Sequence, residues 1–144
     1  MLPPVNFATG PTLFHRALES ETSGYDLRLS EGWHVTLTMW GRGSVDHVER
    51  LLEHLDELDR DYADAPALAA AIDLSGAIHA PLRVQLMLGK WLFKKRHRVQ
   101  KMAVFGGPPL PMKIARAVCS IARMEQVGFF EGREGALAFL AGAA

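Results

Sequence analysis

The sequence has almost no cysteine and lacks long apolar runs. Cys119 is its single cysteine and cannot form a disulfide within the chain, and the amino end shows no apolar secretory segment. These absences predict a protein of the reducing cytoplasm. The apolar stretch from Leu86 to Phe93 is interrupted by Gly89 and Lys90 and is far shorter than the roughly 20 residues of a membrane-spanning helix. We therefore expect no transmembrane segment.

The chain also lacks an excess of either charge. Sixteen Lys and Arg residues balance sixteen Asp and Glu residues, which argues against a dedicated nucleic-acid binder. Acidic residues are concentrated between positions 46 and 64, and a basic cluster follows at the end of a predicted helix. That cluster indicates a patch for an anionic ligand, such as a lipid headgroup or an acidic protein surface, although a solvated helix end explains it as well. Its members are Lys90, Lys94, Lys95, Arg96 and Arg98.

Motifs of catalysis and metal binding are missing as well. The sequence contains no G-x-S-x-G nucleophile motif and no glycine-rich phosphate-binding motif. His47 and His54 lie seven residues apart on one flank of a predicted helix, but no His or Cys pair has the i, i+4 spacing of a metal site. Cys119 lies in the middle of a predicted helix and is interpreted as a core residue. We expect no catalytic residue, no metal and no cofactor.

The 144 residues are enough for one domain with its own core. Prolines and glycines in residues 1–24 predict a partly ordered amino-terminal arm with one short element, and residues 25–144 form the predicted domain. Alternating apolar residues at 25–30 and 33–39 predict an antiparallel hairpin, and Ser44 is the predicted N-cap of an amphipathic helix. The later elements are a buried strand that starts at 67 and ends in a polar turn at 73–76, a helix at 80–97, a strand at 101–105, a helix at 111–126, a short strand at 128–130 and a helix at 134–140.

Strands that alternate with helices imply parallel pairing. The predicted fold class is therefore α/β: a mixed sheet that opens with an antiparallel hairpin and continues in βα units with helices packed on the sheet. Ligands and partners of such sheets meet the carboxyl ends of the strands, so the loops there are the predicted binding surface. The candidate residues on this surface are Asp73, Ser75, His79, Arg83, Gly106 and Gly107.

Two of these positions have alternative interpretations. Asp73 could serve as a general acid or base, or its carboxylate could accept hydrogen bonds from the backbone amides that follow it. Gly106 and Gly107 follow a strand and precede a helix, as in phosphate-binding loops. The two prolines after them lack the N–H donors of such a loop, which favours a tight turn.

Several segments together resemble a known family. They are GYDLRL, WHVTLTMWG, HVERLLEHLDEL, AAAIDLSGA, LMLGKWLFKKRHRV, KMAVFGGPP and FFEGREGALAFL. In order and texture, the stretch from Tyr25 to Leu140 resembles the bacterial STAS-like proteins of the SpoIIAA-like group, which are similar to the anti-anti-sigma factor of sporulation. The most distinctive pieces are D-L-S-G after the third strand and the final F-F-x-x-R-E-x-A-L-x-F-L.

The resemblance implies a non-enzymatic regulatory module that binds another protein, in some relatives under control of serine phosphorylation. The relatives place the modified serine in a D-S-S-G motif, but residues 77–83 of this chain contain no serine or threonine. Ser75 is then the candidate phosphosite only by proximity. Arg83 supplies a fixed positive charge where the relatives receive a negative one.

Three functions remain open from the sequence. The first is a protein-binding module that uses the strand-end surface. The second is a carrier of a lipid or other apolar small molecule, because Sec14-type carriers have a similar layout and the apolar helix near Leu86 could border a pocket. The third is an enzyme acting on a nucleotide or phosphoester, which requires Asp73 and the Gly106 turn to meet in one cavity. A homodimer is also predicted if the surplus aromatic residues are not all in the core. These are Trp33, Trp40, Trp91, Phe129 and Phe130.

Overall fold

The computed structural model describes residues 6–142 as a six-stranded sheet in which the strands follow one another in chain order. The first three strands are antiparallel and the last three are added in parallel, so the sheet is mixed. The strands are β1 (Thr12–Glu19), β2 (Ser23–Ser30), β3 (His34–Arg42), β4 (Leu68–His79), β5 (Val99–Phe105) and β6 (Val127–Phe130).

Three helices connect the parallel strands and contact one another in sequence along one face of the sheet. A fourth helix packs on the other face against β4 and β5. The helices are α1 (Val45–Asp61), α2 (Leu82–Lys95), α3 (Pro109–Ile121) and α4 (Arg133–Leu140), and a 3₁₀ turn (Arg96–Arg98) follows α2. Ser44 is the N-cap of α1 and accepts a hydrogen bond from the backbone N–H of His47, as predicted.

The alternation of β4 explains how one strand serves two packed layers. Ala70 and Leu74 face α1, α2 and α3, whereas Ala69 and Ala71 face α4 with Ala136 in contact. Small side chains on the α4 face let that helix approach the sheet closely. The apolar run that predicted a buried strand is therefore a strand whose successive side chains point into two different cores, one on each face of the sheet.

The one short element predicted in the amino-terminal arm is a strand. Residues 12–19 form the edge strand β1, paired with β2 from Thr12 opposite Ser30 to Glu19 opposite Gly24. Phe14 of β1 belongs to the main core. The apolar pattern of β1 is weak because most of the other side chains of this edge strand are solvent-exposed. Residues 1–5 of the predicted arm lie outside the described residues.

The carboxyl end of β4 also differs. The predicted turn at residues 73–76 is strand, because β4 continues beside β3 until His79 pairs with Arg42. On its other side β4 pairs with β5 only as far as Asp73 opposite Phe105. Asp73 therefore lies where the β5 side of β4 becomes free, and not where the strand ends.

Candidate functional site

Three of the six predicted strand-end residues form one small cluster. The backbone N–H of Ser75 donates to Oδ1 of Asp73 at 2.9 Å. Gly106 has a positive φ of 81°, and a Cβ placed there would lie 3.4 Å from the Ser75 Cβ and 3.5 Å from the Asp73 Oδ1. Asp73, Ser75 and Gly106 therefore lie together, and Asp73 accepts a hydrogen bond from a backbone amide that follows it. Gly107 lies closest to Leu74 and Met112.

His79 and Arg83 lie apart from this cluster, at the last residue of β4 and just beyond it. The carbonyl of His79 accepts a hydrogen bond from the Gly43 N–H at 2.8 Å, which places His79 beside the end of β3. Arg83 lies in the first turn of α2 and is exposed. The predicted binding surface is thus divided between the β5 side and the β3 side of β4.

The predicted basic patch is not a single free surface. Lys95 Nζ and Arg98 Nε bind the two carboxylate oxygens of Asp59 at 2.7 and 2.9 Å. The Arg96 guanidinium lies 4.0 Å from the centre of the Phe93 ring. Only Lys90 and Lys94 are exposed. Because Asp59 is 39 residues from Arg98 in the chain, sequence reasoning could not foresee this neutralisation.

A cavity lies between the sheet and the helices α1, α2 and α3. Its volume is about 250 Å³ and its lining is almost entirely apolar. The sheet contributes residues of β2, β3, β4 and β5, and each of the three helices contributes its inner face. Representative lining residues are Leu37, Leu51, Ala70, Leu88, Leu92 and Ala115. The enzyme interpretation required Asp73 and the Gly106 turn to meet in one cavity. Neither residue lines this cavity.

Helix α2 covers the cavity on the side opposite the sheet. Helix α2 contacts mainly α1 and α3, and only Val84 and Gly89 of its residues are buried. Gly89 sits against α3 so closely that a Cβ there would lie 2.6 Å from the Cγ2 of Ile121. On the other side, the Trp91 Nε1 donates to Asp56 of α1 at 2.7 Å. Supported at both flanks, α2 leaves apolar side chains beneath it without full packing.

Polar groups lie at two places in the cavity lining. Near the start of α1, the Ser23 hydroxyl is hydrogen-bonded to Nδ1 of His47. Near the end of α1, Asp59 lies with Lys95 and Arg98. Burial by itself raises the pKa of Asp59, but the hydrogen bonds and charges of Lys95 and Arg98 outweigh it and hold that pKa below its usual range. This carboxylate therefore stays ionised at neutral pH.

The two histidines on one flank of α1 have structural partners. His47 is bonded to Ser23, and His54 Nδ1 lies 2.7 Å from the hydroxyl of Tyr25, so both tie α1 to β2. Burial lowers the pKa of His54. Within residues 6–142, no three His, Cys, Asp or Glu side chains are grouped as a metal site would require.

Cys119 is buried on α3, as predicted, and lines the cavity. Burial raises the pKa of its thiol to about 11. At pH 8 we expect Cys119 to react with iodoacetamide at least about a hundredfold more slowly than an unperturbed thiol, because its thiolate fraction is that much smaller. Mass spectrometry of the alkylated protein over time checks this, with the urea-unfolded protein as the control. Equal rates for the folded and unfolded protein would contradict the buried position.

The fold defines a class for this protein. The antiparallel hairpin, the parallel βα units and the helices on the sheet constitute a SpoIIAA-like fold, as the sequence resemblance predicted. A crystal structure of an uncharacterised protein of the DUF3478 family from Shewanella loihica PV-4, described with that fold, superposes with a TM-score of 0.63. It is 19% identical in sequence, and the match covers 85% of this chain and 98% of that chain.

The other comparisons add no family or function. No protein-family model matches the chain, and no curated protein sequence matches it. In the part of the chain that the structure describes, none of the helices is both long and apolar enough to cross a membrane.

Proposed function

We propose that this protein binds an apolar small molecule in the cavity beneath α2. The observation that carries the proposal is the cavity itself, because the interiors of small domains are normally close-packed and contain few voids larger than a water molecule. At about 250 Å³ it exceeds the apolar cavity of about 150 Å³ that binds benzene, and it approaches the lower limit of about 300 Å³ for pockets of drug-sized ligands. An alkyl chain or a small ring fits this space.

The lining supports binding without chemical conversion. Aliphatic side chains from α1, α2 and α3 surround the space, and its charged groups, Asp59, Lys95 and Arg98, are hydrogen-bonded together. A carrier or sensor of an apolar ligand needs such a surface and no reacting group.

Native mass spectrometry of the protein purified without detergent tests this proposal. We expect either a species heavier than the 15.9 kDa chain or, if the protein is empty, a one-to-one complex after addition of octanoate or 1-octanol. Isothermal titration calorimetry with the same two compounds gives the affinity. A bare chain mass together with no binding of either compound would refute the proposal.

A second candidate function is the protein-binding regulatory module predicted from the sequence. The observation in its favour is the grouping of Asp73, Ser75 and Gly106, with Ser75, His79 and Arg83 exposed. As a phosphosite, Ser75 would place a phosphate close to the Asp73 carboxylate, and the two negative charges would repel each other. Phosphorylation there would therefore rearrange this part of β4.

The variants His79→Ala and Arg83→Glu test this second function by capture of a partner from native lysate. Both are expected to lose a partner that the unmodified protein retains, and unchanged capture by both would exclude this surface. A homodimer and a cytoplasmic location stay predictions. The aromatic residues that suggested a dimer, Trp33, Trp40, Trp91, Phe129 and Phe130, are all partly buried.

A further inference from the structure

The charged residues in the cavity lining occur at one end only. Among the described residues, the lining contains two cations, Lys95 and Arg98, and one carboxylate, that of Asp59. All three are hydrogen-bonded together, so this end of an otherwise apolar space carries one net positive charge. The end near Ser23 and His47 contains no lysine or arginine in its lining.

Each of the two cations has two N–H donors left, but Arg98 is held by three partners and Lys95 by one. Each of the three nitrogens of Arg98 already donates: Nε to Asp59, and the two terminal nitrogens to the carbonyls of Ala65 and Tyr62 at 2.8 and 2.9 Å. The ammonium of Lys95 has three N–H donors, and the structure gives it one acceptor, Asp59 at 2.7 Å. Lys95 is 31% exposed and can rotate its remaining donors toward a ligand.

We propose that the ligand of this cavity is an amphiphile with a carboxylate headgroup, held by Lys95 while its apolar chain occupies the space beneath α2. This inference rests on the proposed ligand-binding function and adds the chemical class of the ligand. The aliphatic lining accepts the chain, and the net positive end complements a single negative charge. A charge-assisted hydrogen bond from Lys95 then sets the direction in which the chain enters.

The test compares octanoate with 1-octanol, two compounds with the same chain and different headgroups, by calorimetry at pH 7. We expect the unmodified protein to bind octanoate about tenfold more tightly than 1-octanol, the ratio that one charge-assisted hydrogen bond gives. In Lys95→Met the two affinities should become equal within about twofold. Lys94→Met is the matched control, because Lys94 is the adjacent exposed lysine and does not line the cavity. It should keep the tenfold preference.

A second variant separates headgroup binding from a purely structural role of the charged cluster. Asp59→Asn removes the carboxylate that competes for Lys95, so octanoate should bind more tightly while the affinity for 1-octanol stays the same. If the cluster only held α1 and α2 together, both variants would change the two affinities in parallel.

The outcomes are distinguishable from failure of the proposed function. Equal binding of octanoate and 1-octanol to the unmodified protein would overturn the headgroup assignment and leave the apolar site in place. The same conclusion follows if the preference for octanoate persists in Lys95→Met. Binding of neither compound would reject the site itself.

Discussion

Replacement of Ala115 by Phe is expected to weaken binding of octanoate and 1-octanol by close to a hundredfold while the protein stays folded. Ala115 lies on α3 with its side chain in the cavity lining. A phenyl ring at this position occupies the space that the ligand chain would take. If about 100 Å² of apolar contact is lost at about 25 cal/mol per Å², the affinity falls by about 2.5 kcal/mol, close to a hundredfold.

The neighbouring residue Ala117 provides the matched control for this substitution. It lies on the same helix but is exposed and does not line the cavity, so Ala117→Phe should leave both affinities unchanged. Thermal unfolding shows whether each variant is folded. Unchanged binding to a folded Ala115→Phe protein would place the ligand elsewhere.

Enlarging the cavity gives the complementary result. Leu92 lies on α2 and lines the space, so Leu92→Ala should shift the chain-length preference from octanoate toward decanoate. This variant costs stability because it removes packed methyl groups. The readout is therefore the ratio of the octanoate and decanoate affinities, measured by calorimetry, because a loss of folded protein affects both affinities equally.

Replacement of Arg98 by Met is expected to produce the largest loss of stability among the charged residues, about 2–4 kcal/mol. Arg98 is only 17% exposed and joins Asp59 of α1 to the backbone carbonyls of Tyr62 and Ala65. Without the guanidinium, two partly buried carbonyls lose their donor and Asp59 keeps only Lys95. Methionine preserves most of the apolar stem, so the loss reports the polar contacts.

Urea unfolding followed by circular dichroism measures this effect. Lys94→Met serves as the control, because Lys94 is exposed and no ion pair of Lys94 occurs among the described residues. Its unfolding midpoint should stay within the small range typical of surface substitutions. A midpoint for Arg98→Met equal to that of the control would show that the cluster adds nothing to stability.

The same cluster determines one part of the response to acid. Because Lys95 and Arg98 lower the pKa of Asp59 in the folded state, the carboxylate stabilises the protein above its unfolded pKa, and this stabilisation is lost as the pH falls through the lowered value. The difference in stability between Arg98→Met and the unmodified protein should therefore shrink below about pH 4. A difference that stays constant down to pH 2 would contradict this assignment.

Much of the fold was accessible from local patterns. The hairpin alternates with period two, and α1 combines an N-cap serine with leucines at three- and four-residue steps. The strand β1 was predicted only as a short element of unassigned type, because an edge strand with one buried face carries few apolar residues. The end of β4 was misplaced because Asp73 and Ser75 resemble a turn, while the pairing partner that extends the strand, β3, is distant in sequence.

Some features of the candidate site could also be predicted from the sequence, and others depend on how distant segments pack. Asp73, Ser75 and Gly106 could be expected together because parallel strands end at one edge of a sheet. The basic run was visible as charge, but its neutralisation by Asp59 depends on how α1 and α2 pack. The cavity was suggested only in outline, through the apolar helix α2.

The sequence by itself therefore determined the element order from β2 onward, the mixed α/β class and the core-facing sides of α1 and α3, because these follow from periodicity and from short-range turn chemistry. Only the tertiary structure decided that α2 is supported by α1 and α3 and leaves a space beneath it. It also decided that Lys95 and Arg98 meet Asp59 at one end of that space. A cavity is a difference between the volume that packed elements enclose and the volume that their side chains fill, and no local pattern in a chain encodes that difference.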